Sequence, residues 1–329
     1  MRKIFYFILA NAFIISINAQ RFNTLNDDKH FIDSLTILIQ SSSVDSIKCL
    51  NSFKLADLYR RNGDIQHFYE YLKIGKKNIS KSQYLKASSQ YYFSLKYLVN
   101  GDVKSYKNSI ISTLQKIKKF KIKESYELQV IILQNLSIIN RMEDNEKESL
   151  RILVEDAIPI AYKSQNDELI GEVEKHIGIA LMNNEERSKA DEYFKKANKN
   201  FSNVTKKSPV FKESTIELNS IAAENCFYMK KIKEGKQYLD KAQSILKKYP
   251  TSNLNNLYYY SEGLLYFIQN DYPKALLSYN MGIKNSINTN DFQSLNRLKF
   301  VKYQTLFELK RYKDAFFIIF SIKIEYKSK

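Results

Sequence analysis

Three histidines, His30, His67 and His176, and two cysteines, Cys49 and Cys226, are the side chains of this 329-residue chain best suited to metal ligation or nucleophilic chemistry. A metal site draws several such groups from short, characteristic spacings, and these five stand in separate stretches without a convincing carboxylate or thiol companion. There is no His-Glu-x-x-His, no Gly-x-Ser-x-Gly and no glycine-rich phosphate loop. The carboxylates of Glu143, Asp144 and Glu146 gather at one turn, where water solvates them. Catalysis needs convergent groups, and the sequence supplies none. The expectation is a protein that is not an enzyme and takes no cofactor and no metal.

The elements that carry these residues are helical. With 8 Gly and 4 Pro against 24 Tyr and 20 Phe, the chain is poor in breakers and rich in side chains that fill a core, which excludes a disordered or collagen-like chain. The Asn62-Gly63 and Asn100-Gly101 pairs join runs of helical rather than alternating period, so they read as helix-helix turns. At the start, Met1-Arg2-Lys3 precedes an apolar run from Ile4 to Ile17, and Ala19-Gln20 offers a cleavage point. The run is shorter than the roughly 20 residues that a membrane-spanning helix needs. Residues 1–19 therefore read as a signal peptide, and the mature chain as exported to the periplasm or cell envelope without a transmembrane segment. The net charge of +17 comes from scattered lysines without interleaved aromatics, a solvated outer face rather than a nucleic-acid surface.

A fixed pattern recurs along the rest. A small residue is followed three later by a large one, then after a turn by small, large and small residues on one helix face. Gly178, Leu181, Ala190, Phe194 and Ala197 form one copy; Gly263, Tyr266, Ala275, Tyr279 and Gly282 form another. The first and second copies start at Ala56 and Ser94, and the third reads Ile138, Arg141, Leu150, Val154 and Ala157. The fifth reads Ala223, Cys226, Gly235, Leu239 and Ala242, and the last Tyr303, Leu306, Ala315, Ile319 and Ile322. Three residues is close to one helical turn, so each trio or pair shares a face. Small residues let two helix axes approach closely, and a helix pair of this kind buries its apolar face only by stacking on its neighbours. Phe31, Ile32, Leu35, Leu38 and Ile39 add one amphipathic helix ahead of the array. In an extended array Cys49 and Cys226 lie too far apart for a disulfide.

These copies resemble tetratricopeptide (TPR) repeats, over roughly Ser46 to Lys323. Departures are the absence of Trp, a mostly missing helix-ending Pro, and repeats longer than the 34-residue unit. The resemblance implies an all-α, TPR-like superhelix, an α-solenoid of about seven helix pairs, with residues 20–45 as an N-terminal capping helix and 46–329 as the array. Long repeats behind a signal peptide also resemble extracytoplasmic sensor regions of bacterial membrane-anchored regulators. The coiled coil, membrane helix and DNA-binding or kinase module of those regulators do not follow before Lys329, so their activities do not carry over.

In TPR folds the first helices of successive pairs line a groove. Carried onto this sequence, that groove takes Glu224, Phe227 and Tyr228 from the fifth pair, Leu257, Tyr260, Leu264, Phe267 and Ile268 from the sixth, and Phe300, Gln304 and Phe307 from the seventh. Aromatics of this kind anchor binding hot spots, though on long helices some of them equally suit the core. The lysine and asparagine with which related domains hold acidic chaperone tails are not in place: the fourth repeat has Lys175 but Ile179. The expected partner is a protein or peptide in the groove. The alternatives are a sensor fragment of an envelope signalling or transcription-regulatory system, or a structural assembly factor. Ala315-Phe316-Phe317-Ile318-Ile319-Phe320 is apolar for a terminal helix and suggests self-association there.

Overall fold

A computed structural model of the chain describes residues 29–79 and 82–327, with side chains through residue 319. The signal-peptide reading of residues 1–19, residues 20–28 of the capping segment, and the Phe320 and Ile322 side chains lie outside the described residues. Among the described residues the fold is all-α and contains no strand. Two compact units divide it, one comprising residues up to 180 together with 199–209, the other residues 181–198 together with 210 onward.

In the first unit a lone helix, α1 (Lys29–Ser41), precedes the pairs α2 (Asp45–Arg61)/α3 (Ile65–Lys77) and α4 (Gln83–Val99)/α5 (Val103–Ile117). The third pair is α6 (Lys123–Met142) against one continuous helix made of α7 (Glu146–Arg151), a π-helical turn (Ile152–Ala157) and α8 (Ile158–Ser164). First helices pack on first helices, α2 on α4 and α4 on α6. The face of α1 that carries Phe31, Ile32 and Leu35 packs with Ile39 against Leu55, Leu58, Tyr71 and Ile74, while Leu38 points to solvent. The unit boundary falls within α9 (Asp167–Asn183) and α10 (Arg187–Asn203). The second unit continues with α11 (Phe211–Tyr228)/α12 (Ile232–Leu246), α13 (Asn255–Ile268)/α14 (Tyr272–Asn288) and α15 (Phe292–Glu308)/α16 (Tyr312–Lys327). Here too α11 packs on α13 and α13 on α15.

One backbone device makes all seven pair turns. Gly63, Gly101, Asp144, Glu185, Lys230, Asn270 and Lys310 all take positive φ, and each ends a first helix. The left-handed conformation reverses the chain at once, and glycine alone adopts it without a Cβ penalty. At four of these turns the next residue caps the second helix: Asp64, Asp102, Asn145 and Asp271 each accept a backbone N–H three residues on. Each left-handed residue follows the leading position of its repeat by seven, a small residue in every pair but the last, where it is Tyr303.

The third repeat obeys this rule only if it starts at Ser137, not at Ile138. Ser137 and Ser149 are buried with their hydroxyl oxygens 2.8 Å apart, whereas Val154, expected in the core, is 38% exposed. The displaced register has a physical cause. Pro159 has no N–H to give, and its ring crowds the carbonyl of the preceding turn, which lies in the π segment. The wider π turn absorbs one extra residue, so Ala157 still arrives at the buried small position. Counting back from Ala157 shifts every earlier place by one.

Small positions in the other pairs seat aromatic rings. A Cβ on Gly75 would come within 2.6 Å of the Phe53 ring, and Gly263 leaves similar room for Tyr279. Phe53 stacks in turn on Tyr92 of α4 at 4.9 Å between centroids, so one ring ties a pair internally and to the next pair.

Filling the Ser149 site forces a bulky side chain into the α6–α7 contact, an overpacking cost of about 1–3 kcal/mol. Ser149→Phe is therefore expected to lower the melting temperature clearly and Leu150→Phe hardly at all; calorimetry showing the opposite order would restore the displaced register.

Candidate partner-binding face of helices α11, α13 and α15

On α11 the residues of interest divide by helical geometry. Phe227 and Tyr228 are successive and stand about 100° apart around the helix, so one is buried while the other is exposed, with the buried Glu224 one turn before them. Phe227 is fully buried and lies against Gly235 of α12, where no side chain stands in its way. Its placement in an accessible groove is corrected: it is a core ring, held there by the small residue of its own pair. Leu264 is likewise buried on α13. Phe267 is half-buried and meets Tyr272 edge-on at 5.4 Å.

Glu224, Tyr228 and Tyr260 do come together, through an arginine absent from the groove set read from the sequence. Arg297 on α15 donates from Nη2 to Glu224 Oε1 at 2.5 Å, reaching α11 across the intervening α13. Its guanidinium lies 3.7 Å from the centre of the Tyr260 ring. The Tyr260 hydroxyl stands 3.4 Å from that of Tyr228, and the Tyr228 ring carries the guanidinium of Arg187 at 4.2 Å. The order is arginine, tyrosine, tyrosine, arginine, carboxylate. Each stacked cation is worth about 0.5–2 kcal/mol, more where water is excluded.

Burial is uneven along this row. Glu224 is only 5% exposed, while the Arg297 side chain keeps 36% of its surface and Tyr228 43%. Burial works against the charge on Arg297, but the Glu224 carboxylate together with Tyr260 and Tyr228 outweighs it and holds the guanidinium above its usual range. Tyr228 is held well above the ordinary tyrosine range by the Tyr260 phenol, burial and Glu224, so it stays a neutral donor. One turn along α15 lie Phe300 and then Gln304, both half-buried, followed by the exposed Phe307. Phe300, Tyr303 and Phe307 form a line of tilted rings spaced 6.3 and 6.5 Å apart. Chemically this face offers planar cations, hydroxyls and aromatic surface, the means of holding a chain segment.

Arginine could have been noticed. The chain has only nine, in a background where lysine is the ordinary cation. A guanidinium stacks on an aromatic face and still donates in its own plane, which an ammonium cannot do.

The groups first weighed for chemistry are engaged elsewhere. His67 Nδ1 contacts the capping Asp64 carboxylate at 2.7 Å, and His30 contacts Ser34. Cys49 and Cys226 are buried free thiols. Cys226, Asp191 and Glu234 bring potential ligand atoms within 4.8 Å of one another. Asp191 is already paired with Lys231 at 2.7 Å and Lys195 at 2.9 Å, and burial pushes the Cys226 thiol up to about 12. Two lysines and a protonated thiol suit an internal charge network, not a cation. The apolar end is present as expected in one respect: Phe316 and Phe317 of α16 are exposed. No helix among the described residues is long and apolar enough to cross a membrane.

No protein-family model and no curated protein matches this chain. Solved structures do resemble it. Aspartyl phosphate phosphatase F from Bacillus subtilis superposes with a TM-score of 0.61 at 11% identity, over 84% of this chain and 70% of its own. A Rap protein complexed with Competence and Sporulation Factor gives 0.61 at 12% identity, over 91% and 80%. A signal transduction ATPase with a tetratricopeptide repeat sensor, from Pyrococcus horikoshii, gives 0.52 at 13% identity. That alignment takes 89% of this chain and 48% of the ATPase, so the chain spans about half its length. The shared property is the fold, that of tetratricopeptide repeat proteins.

Removing Arg297 strands a buried carboxylate. Arg297→Ala is expected to cost about 2 kcal/mol, below the usual 3–5 for a buried pair because water reaches part of the guanidinium. Glu224→Gln in the same background should recover part of that loss in chemical denaturation. Strictly additive single and double variants would mean that the pair is not coupled.

Proposed function

We propose that this chain is an exported TPR-type scaffold of the periplasm or cell envelope that binds a protein or peptide segment on the common face of α11, α13 and α15. The observation that carries this reading is the long-range Glu224–Arg297 pair with its stacked tyrosines. It fixes three successive first helices relative to one another and leaves Tyr228, Phe300 and Gln304 at or near the surface. Rigid aromatic and arginine groups lose little entropy on binding and are the residue types that dominate interfaces. Export rests on the basic start and apolar run ahead of Ala19-Gln20.

Binding rather than turnover follows from the same inventory, since the histidines and thiols are tied into caps, helix faces and cores. One structural neighbour bears the name of a phosphatase, but at 11% identity the likeness is of fold alone. A second reading is a sensor piece of an envelope signalling system, favoured by the neighbour whose repeat region is described as a sensor. A third is an assembly factor, or a self-associating chain, working through the exposed rings of α16.

A pull-down from envelope extract with residues 20–329 separates these. The expected result is a partner held by the parent and lost by a Tyr228→Ala/Phe300→Ala/Gln304→Ala variant that keeps its helical content and melt. A partner retained by the variant would move docking away from this face, to α16 or the basic exterior. Recovery of only a membrane signalling protein, insensitive to the variant, would favour the sensor reading.

A further inference from the structure

The geometry points to a partner of defined chemistry: an acidic peptide segment, whose carboxylates are taken one by Arg297 and another by Arg187, and whose neighbouring apolar side chain rests on the Phe300–Phe307 row. This inference rests on the binding face proposed above and narrows what it binds.

The first ground is charge. Two guanidiniums, Arg187 on Tyr228 and Arg297 on Tyr260, stand along the tyrosine row, and one carboxylate, Glu224, pairs with Arg297. The local balance leaves one positive charge in a partly dry setting, where pairing is stronger than in water.

The second ground is hydrogen bonding. A guanidinium has five N–H donors in one plane. Stacking on Tyr260 occupies the flat of Arg297 and leaves its edge, of which Nη2 serves Glu224. The remaining edge belongs to a side chain still 36% exposed. Among the described residues Arg187 Nη1 has no acceptor, so this guanidinium is not fully paired within the protein. Tyr228, 43% exposed and lying against Arg187, is the side chain that a ligand meets first. A planar carboxylate matches a guanidinium edge with two parallel bonds, which no neutral amide or hydroxyl reproduces.

The third ground is spacing. Phe300 follows Arg297 by three residues, so the aromatic row begins about 5 Å along the helix from the cation. Adjacent residues of an extended peptide are separated by about 3.3 Å, so an acidic residue with an apolar one beside or next but one to it spans the two subsites. The wider chain favours the same sign of ligand, for its net charge of +17 draws acidic segments toward it.

The test uses three fluorescein-labelled dodecapeptides built from a repeated Gly-Ser-Glu-Leu unit, the same unit with Gln for Glu, and the same with Lys. Binding to residues 20–329 is read by anisotropy at low and at physiological salt. The Glu peptide is expected to bind at least about tenfold tighter than its Gln twin, with the Lys peptide weakest. The preference should vanish in a Glu224→Gln/Arg297→Gln variant, which keeps polar groups on both helices, and fall in Arg187→Gln; circular dichroism and melting check that both fold.

If Glu and Gln peptides bind equally, and both are lost in the Tyr228→Ala/Phe300→Ala/Gln304→Ala variant, the face binds peptides but the acidic assignment is wrong. If the Glu preference persists in the arginine variants, surface lysines account for it and the assignment again falls. If no peptide binds at millimolar concentration, both the assignment and the peptide-binding reading of the face are contradicted.

Discussion

A helix pair in this chain closes on itself where a ring is set against a missing side chain, and it buries the rest of its apolar face on the next pair. Phe53 lies where Gly75 has no Cβ, Phe227 where Gly235 has none, and Tyr279 where Gly263 has none. Each such ring closes one pair, and in the case of Phe53 it also reaches the first rings of the next. Bulk at these places has nowhere to go, because protein interiors are close to crystal density. The turns are equally constrained: a left-handed residue seven places after the leading position of each repeat sends the second helix back along the first.

The same contact decides which side chains are available for binding. On α11 it consumes Phe227 and, by rotation about the helix, leaves the next residue, Tyr228, exposed, with Glu224 buried one turn before it. Packing of α11 on α13 and α13 on α15 then brings Arg297 within reach of Glu224, 73 residues apart in the chain. A pair so distant in sequence depends on every intervening helix being in place. It also resists any change in the spacing of those helices, since separating the partners would leave a buried carboxylate alone. The binding face is thus a consequence of the stacking register, with tyrosine rings acting as platforms that orient two cations.

Much of this was legible in the sequence. Gly178, Ala190, Phe194 and Ala197 are buried where their spacing places them, as are Ala223, Gly235 and Ala242, because a period of three and four residues is a property of the helix itself. The third repeat misled, since a π turn before Pro159 inserts a residue that no periodic count anticipates. Phe227 misled for another reason: the sequence shows which residues sit beside a small one, but not which ring will fill the gap. Arg297 and Arg187 went unread because their roles arise from partners on other helices, Glu224 and Tyr260 for one and Tyr228 for the other. Pair turns without glycine, as at Lys230 and Lys310, gave no local sign of their left-handed backbone.

The most direct test is site-specific photocrosslinking in intact cells, with benzoylphenylalanine placed at Gln304 on the proposed face and, separately, at the exposed Met281 on α14. The account predicts a discrete adduct from position 304, diminished by Arg297→Gln/Glu224→Gln, and none of that mass from position 281. An adduct formed equally from both positions, or from position 281 alone, would contradict it.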